Sequence, residues 1–181
     1  MQRISMISED AEGPDGIVGR IRARRGGKLL KMDRIMLHSR PFSAGWNVFL
    51  GAVDNELNLA QRLREFVMCV VGVLNRADYQ VLSHASKFIA AGGTRKQLEA
   101  LSDISVAMRD EVLFDVVERA VLRLTFEMTR NVEVTNEALV QARATMQSER
   151  ELVELIGVIA TYNMVSRLVV AFGLGNEDGQ L

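Results

Sequence analysis

The chain has 181 residues, of which 48% are hydrophobic and 25% charged, and its formal net charge at pH 7 is −1. This length and balance fit one globular domain with a sizeable core, and the small charge predicts no overall attraction to nucleic acid or anionic membrane. The single cysteine, Cys69, excludes an intramolecular disulfide and therefore dithiol redox chemistry within the chain. We expect a cytoplasmic protein, because the first residues show no apolar signal sequence and the longest apolar run, Phe66–Leu74, is far shorter than a membrane span.

The N-terminal part of the chain divides into an acidic and a basic segment. Residues 1–19 hold four acidic side chains among glycines and a proline, which predicts a poorly ordered leader. Residues 20–181 are predicted to form a single helical domain. Its first segment, residues 20–34, is strongly basic, and its second half predicts an amphipathic helix that ends near His38, before Pro41.

Apolar spacing and capping residues predict helices through the rest of the chain, and no run alternates with period two. A β-strand is the alternative for residues 66–74, but the periodic polar residues before them favour a helix. Capping boxes at Thr94–Gln97 and Ser148–Glu151 open two of the helices, and Gly92 closes another. The predicted helices are Pro41–Asp54, Leu59–Asn75, Ala77–Ala91, one from Thr94, Glu111–Arg130, Asn136–Met146, and one from Ser148 to Phe172.

Several chemistries lack the residues that they need. Two histidines and one cysteine, without a C-x-x-C or H-x-x-x-H pattern, give no support for a zinc site. No glycine-rich phosphate loop follows a strand, and no G-x-S-x-G elbow is present. The basic segment fits a solvated helix face or a subunit contact better than an RNA site. Cys69 lies in an apolar run and fits a buried, inert thiol better than a reactive one.

One pair of residues remains as a candidate site. Glu65 opens the very apolar third helix, and His84 lies in the fourth, which is expected to fold back against it. A carboxylate behind a histidine can fix its tautomer and make it a proton donor. Ala77 and Gln80 share the helix face of His84 and lie in the first turn, where an anion is favoured. The alternative is a purely structural buried Glu65–His84 pair.

At these residues the sequence resembles the carboxymuconolactone decarboxylase family, which includes the alkylhydroperoxidase D-like proteins. Redox members have a glutamate, eleven residues, a cysteine, two residues, a second cysteine, three residues and a histidine. Glu65 and His84 match the two ends, whereas Ala77 and Gln80 occupy the cysteine positions. Decarboxylase-type members have a Tyr-Glu-x-x-x-His pattern, which Tyr79–His84 resembles with glutamine in place of glutamate. The similarity extends over roughly residues 29–175 and includes the stretches at 118–120, 151–155 and 162–167.

This resemblance implies an all-α, alkylhydroperoxidase D-like bundle of packed helical hairpins and a homo-oligomer, from dimer to hexamer, with no metal or organic cofactor. The implied reaction is loss of CO2 from a small lactone carboxylate, as in aromatic catabolism. It needs a held carboxylate and a proton delivered to carbon.

The catalytic candidates are His84 as proton donor, Glu65 as its orienting carboxylate, and Tyr79. Tyr79 lies about 140° round the helix from His84, so a neighbouring helix is an alternative environment for it. Gln80 and Arg76 are candidates for binding the substrate anion. Asn163 and Arg167, four residues apart on the last helix, are further candidates that either line the pocket or bridge subunits.

Three functions follow from the sequence. The first is a cofactor-free enzyme of proton transfer or decarboxylation on a small carboxylate or lactone. The second is a peroxidase-related protein that lacks the cysteine pair and depends on Cys69. The third is a non-enzymatic oligomeric ligand-binding protein in which Glu65 and His84 are only structural.

Overall fold

The structure is a computed structural model that describes residues 3–12 and 16–175. These residues form helices and no strand, which confirms the all-α prediction. The strand alternative for residues 66–74 is wrong, since they form most of one long helix. The helices are α1 (Ile17–Arg24), α2 (Lys31–Met36), α3 (Arg40–Asn55), α4 (Gln61–Leu74), α5 (Asp78–Ala90), α6 (Arg95–Ala100), α7 (Ile104–Ala107), α8 (Val116–Arg130), α9 (Asn136–Thr145) and α10 (Glu149–Phe172), with a 3-10 turn at Leu101–Asp103.

The described residues fall into two compact units. The first contains the residues up to 57 and a short segment that begins at 171, and the second contains residues 58–170. The prediction of one helical domain over residues 20–181 stays a prediction.

The first unit is built on α1, α2 and α3. Helix α1 was not predicted. The expected boundary of the leader at residue 19 falls inside this helix, which begins with the buried Ile17 and Val18. Residues 1–2 and 13–15 of that leader lie outside the described residues. The basic segment is partly neutralised within the unit, since Arg24 and Arg25 lie 3.5 and 3.3 Å from the buried carboxylate of Asp33.

The second unit is centred on α4, which is buried on all sides as its apolar sequence predicts. Three aromatic rings form the middle of this core. Phe66 stacks on Phe88 of α5 at 5.3 Å between ring centroids and lies 5.8 Å from Phe114, which precedes α8. The unit therefore holds the α4–α5 hairpin rigidly against the start of α8.

Capping residues set the helix boundaries. The Thr94–Gln97 capping box is present, since the Gln97 amide donates to the Thr94 hydroxyl at 3.2 Å and the Gln97 side chain accepts from Thr94 at 3.0 Å. The prediction that a helix begins at Glu111 is wrong, because α8 begins at Val116. Asp115 and Glu118 form a capping box there, which stops the helix from extending further toward the N-terminus.

Helix α10 is the one described helix whose length and apolar composition would allow it to cross a membrane. Within its most apolar window, 44% of the helix is buried inside the protein. A core helix of a globular protein has the same composition, so this feature is weak support for a membrane span.

Candidate active site

Glu65 of α4 and His84 of α5 lie in direct contact. Nδ1 of His84 is 2.6 Å from Oε2 of Glu65, and the two side chains are only 12% and 10% exposed. Such a short, largely desolvated hydrogen bond between a ring N–H and a carboxylate oxygen fixes both the tautomer and the orientation of the imidazole. The structure thus brings together the two residues on which the sequence hypothesis rests.

The turn between the two helices places the pair. The Arg76 amide donates to Val73 O at 3.1 Å and the Ala77 amide to Gly72 O at 2.8 Å, which is the pattern of a Schellman motif. Arg76 adopts the left-handed conformation that this motif needs, with a φ of 55°. The helices then approach closely at Gly72, where an added Cβ would lie 2.8 Å from Cγ2 of Val81. The tight hairpin determines which turn of α5 faces Glu65.

Tyr162 of α10 forms one wall of the site. Its ring meets the His84 ring edge to face, with centroids 5.0 Å apart and planes at 88°. Tyr162 is 3% exposed, so it shields the imidazole from water. Sequence reasoning noted the stretch from Tyr162 to Arg167 but did not assign Tyr162 to the site, because a contact across 78 residues of sequence leaves no local pattern.

The second ring nitrogen of His84, Nε2, makes no hydrogen bond to any of the residues in the described part of the chain. Nε2 is therefore the ring nitrogen that remains available for proton transfer, because Nδ1 is engaged by Glu65. A substrate atom that approaches Nε2 would meet a histidine held by the carboxylate on its far side.

Gln80 is a structural tie between three helices. It is 2% exposed, its Nε2 donates to Met68 O of α4 at 2.7 Å, and its Oε1 accepts from the Ser166 hydroxyl of α10 at 2.9 Å. Its amide group is therefore engaged by the protein, and a role in substrate binding stays a prediction. Ala77, at the other cysteine position of the resemblance, is the N-cap of α5 and is 1% exposed.

Arg76 and Tyr79 lie on either side of that N-cap. Arg76 is exposed at the hairpin turn. Tyr79 is half-buried in the first turn of α5, and its carbonyl accepts from the Ser83 hydroxyl at 2.7 Å. Their assigned roles in catalysis and anion binding stay predictions.

Asn163 and Arg167 belong to a polar network inside the second unit. Nδ2 of Asn163 donates to the Thr129 hydroxyl of α8 at 2.9 Å, and its Oδ1 accepts from Asn75 at 3.0 Å and from Arg167 at 3.0 Å. Their roles in substrate binding or between subunits stay predictions. The network joins the end of α4 to α8 and α10.

Cys69 is fully buried one helical turn beyond Glu65. Burial raises the pKa of the Cys69 thiol to about 12, and the negative charge of Glu65 adds to the rise. A thiol in this state is protonated at neutral pH, and the thiolate is the reactive form. Among the described residues, no three His, Cys, Asp or Glu side chains converge as a metal site would require.

Replacing Cys69 with alanine is expected to leave any peroxide consumption by the purified protein unchanged, because the buried thiol is not ionised. The measurement is hydrogen peroxide loss by the wild type and by Cys69→Ala, together with thiol labelling before and after unfolding in urea. We expect labelling only after unfolding. Peroxide consumption that disappears in Cys69→Ala would contradict the assignment of an inert thiol.

No family model matches the chain, and no curated protein matches it in sequence. Two solved structures share its fold. An uncharacterized peroxidase-related protein from Silicibacter sp. TM1040 matches with a TM-score of 0.76 and 18% identity, over 97% of this chain and 94% of that one. The debrominase Bmp8, solved as a cysteine-to-alanine variant with 2,3,4-tribromopyrrole, matches with a TM-score of 0.77 and 15% identity, over 98% and 94%.

These likenesses define the fold of the chain as alkylhydroperoxidase D-like and all-helical. At identities this low, they carry no assignment of reaction or substrate. The function must therefore be argued from the geometry of the site itself.

Proposed function

We propose that this protein is a cofactor-free acid–base enzyme of carboxymuconolactone decarboxylase type, in which His84 transfers a proton to a small carboxylate or lactone. The observation that carries the proposal is the 2.6 Å contact between His84 Nδ1 and Glu65 Oε2 in a largely buried position. A histidine whose Nδ1 is held by a carboxylate presents Nε2 to the substrate, as general acid–base catalysis requires.

The contacts around the pair support a catalytic role. A purely structural Glu65–His84 pair does not need contact with solvent. His84 nevertheless keeps 12% of its side chain exposed, while Tyr162 covers one side of the ring. Decarboxylation leaves negative charge on the substrate, and a proton delivered to carbon removes it. A positioned general acid contributes about 10²–10⁴-fold to the rate of such a step.

The second candidate is a peroxidase-related protein, which the name of one structural relative favours. The chain lacks the reactive thiol that such a peroxidase needs. The cysteine positions of the resemblance hold Ala77 and Gln80, and Cys69 is buried with a pKa of about 12. The third candidate, a ligand-binding oligomer without turnover, would leave the Glu65–His84 pair structural. We propose in addition that the protein is cytoplasmic and works as a homo-oligomer on a small-molecule substrate.

His84→Asn is expected to lower turnover at least about 100-fold while the fold persists, because general acid catalysis is lost. Asparagine places an amide N–H where Nδ1 stood, so the hydrogen bond to Glu65 is retained, but it has no group equivalent to Nε2. The measurement is the decay of carboxymuconolactone absorbance with purified wild type and variant.

Glu65→Gln is expected to lower kcat more than it changes KM, since it affects the orientation of the imidazole.

His38→Asn is the matched control, because His38 is the other histidine of the chain and is exposed, with its Nε2 near Ser5 O. It should leave turnover at the wild-type value. Turnover of the wild type that is the same in His84→Asn would refute the role of His84. The comparison requires that wild type and His84→Asn unfold at the same temperature.

A further inference from the structure

A groove lies between α8, α9 and the residues that follow α7. Its volume is about 690 Å³, within the range of about 300–1,000 Å³ that small-molecule pockets occupy. Neither Glu65 nor His84 is among its lining residues. The groove is therefore separate from the candidate active site, and the proposed function does not use it.

Apolar side chains form a large part of the wall of the groove. They include Met108, Val116, Ala120 and Phe126. Val116 is 63% exposed although it occupies the first position of α8, a place where a polar residue would be expected beside solvent. Apolar groups of this kind would gain by covering the apolar body of a ligand.

Three arginines line the same groove, and they differ in how firmly the protein engages them. The Arg123 side chain is held by two carboxylates, since it contacts Glu127 at 3.2 Å and both oxygens of Glu137 at 2.8 and 3.0 Å. Arg119 donates to Phe114 O and otherwise pairs at 3.3 Å with Glu111, whose side chain is 79% exposed. Such an exposed ion pair is weak and exchanges readily for another anion.

Arg109 is exposed, and its guanidinium has no hydrogen bond or ion pair with any residue in the described ranges. The acidic lining residue, Glu127, is already engaged by the protein. Its oxygens accept from the Thr135 amide and hydroxyl and from Arg123. The cationic groups of the groove that a bound anion can engage are thus Arg109, which has no acidic partner among the described residues, and Arg119, whose partner Glu111 is exposed.

We propose that this groove binds a small amphipathic carboxylate, whose anionic group pairs with Arg109 and Arg119 and whose apolar body packs on Val116, Ala120 and Phe126. Guanidinium groups recognise carboxylates through paired N–H donors, and the apolar wall supplies the rest of the contact. The site differs from the Glu65–His84 site in both residues and chemistry.

The test uses 1-naphthoate as the anionic probe and 1-naphthamide as its uncharged counterpart. Both are titrated into the full chain, with binding followed by calorimetry and by backbone amide shifts in NMR spectra. We expect 1-naphthoate to shift amides of residues 108–127 and 141–145, and to bind at least tenfold more tightly than 1-naphthamide. Equal binding of the two probes, shifts confined to other residues, or no binding would overturn the proposal.

Variants separate the charge of the groove from its shape. The double variant Arg109→Ala, Arg119→Gln is expected to weaken 1-naphthoate binding at least tenfold, and Ala144→Trp should block the groove without removing a charge. Arg95→Ala, at an exposed arginine of α6, is the matched control and should bind as the wild type does. Unchanged binding in both groove variants would overturn the proposal. His84→Asn should bind 1-naphthoate normally, so that failure here and failure of the proposed function remain distinct.

Discussion

Replacing Glu118 with alanine is expected to lower the free energy of unfolding by about 3 kcal/mol, because it breaks a buried charged network from one side. Glu118 is 3% exposed at the start of α8. Its Oε1 accepts from Arg62 Nη2 of α4 at 2.6 Å and from Gln97 Nε2 of α6 at 2.9 Å, and its Oε2 accepts from the Asp115 amide at 3.1 Å. Alanine would remove the carboxylate acceptor of the buried Gln97 side chain, which would keep only its longer contact to Leu113 O at 3.2 Å, and would remove half of the capping box.

Urea unfolding followed by circular dichroism measures this loss as a lower midpoint at constant m value. Glu118→Gln keeps the volume and one acceptor oxygen, so it should lose less stability than the alanine variant. Glu111→Ala is the matched control, because that glutamate is 79% exposed, and it should unfold at the wild-type midpoint. A Glu118→Ala protein as stable as the control would show that the network adds nothing to folding.

Gly93→Ala is expected to destabilise the protein by about 3 kcal/mol through a steric clash in the core. A Cβ at this position would lie 2.3, 2.4 and 2.5 Å from three ring atoms of Phe88. The Phe88 ring is 0% exposed and stacks on Phe66, so a shift of the ring would disturb the packing of the core. The backbone is held as well, since the Gly93 amide donates to Phe88 O at 2.9 Å in the motif that ends α5.

Gly157→Ala provides a control of opposite sign. Gly157 lies in the middle of α10, and nothing stands within 4 Å of a Cβ placed there. Alanine should raise the free energy of unfolding by about 0.5–1 kcal/mol, because it restricts the unfolded chain and favours the helix. If both glycine variants shifted the thermal midpoint in the same direction, the clash with Phe88 would not be the cause.

Most of the helices could be predicted from the sequence because their ends carry local signals. The Thr94 capping box and the Gly92 terminus depend on neighbours within four residues, and both occur where the sequence indicates. Helix α1 was missed because Ile17, Val18 and Ile21 are interspersed with arginines and glycine, which hide the apolar face. The predicted start at Glu111 differs from the start of α8 at Val116, which the capping box of Asp115 and Glu118 sets.

The candidate site was predictable only in part, because only some of its contacts depend on residues that are close in sequence. Glu65 and His84 lie on consecutive helices joined by a short turn, so a hairpin brings them together and the sequence can anticipate it. Tyr162 reaches His84 from α10, and the hydrogen bonds of Gln80 to Met68 and Ser166 depend on the packing of three helices. Such contacts follow from tertiary structure and have no signature in local spacing.

The tie made by Gln80 has a consequence for how the second unit responds to its surroundings. The amide, hydroxyl and carbonyl groups that link Gln80 to Met68 and Ser166 are all neutral and buried, so salt and acid leave their strength nearly unchanged. The contact between α8 and α9 combines the buried Ala138 and Ala142 with the ion pair of Arg123 and Glu137 at the surface, and salt screens that ion pair. Rising ionic strength should therefore weaken the α9 edge of the unit more than the junction of α4, α5 and α10.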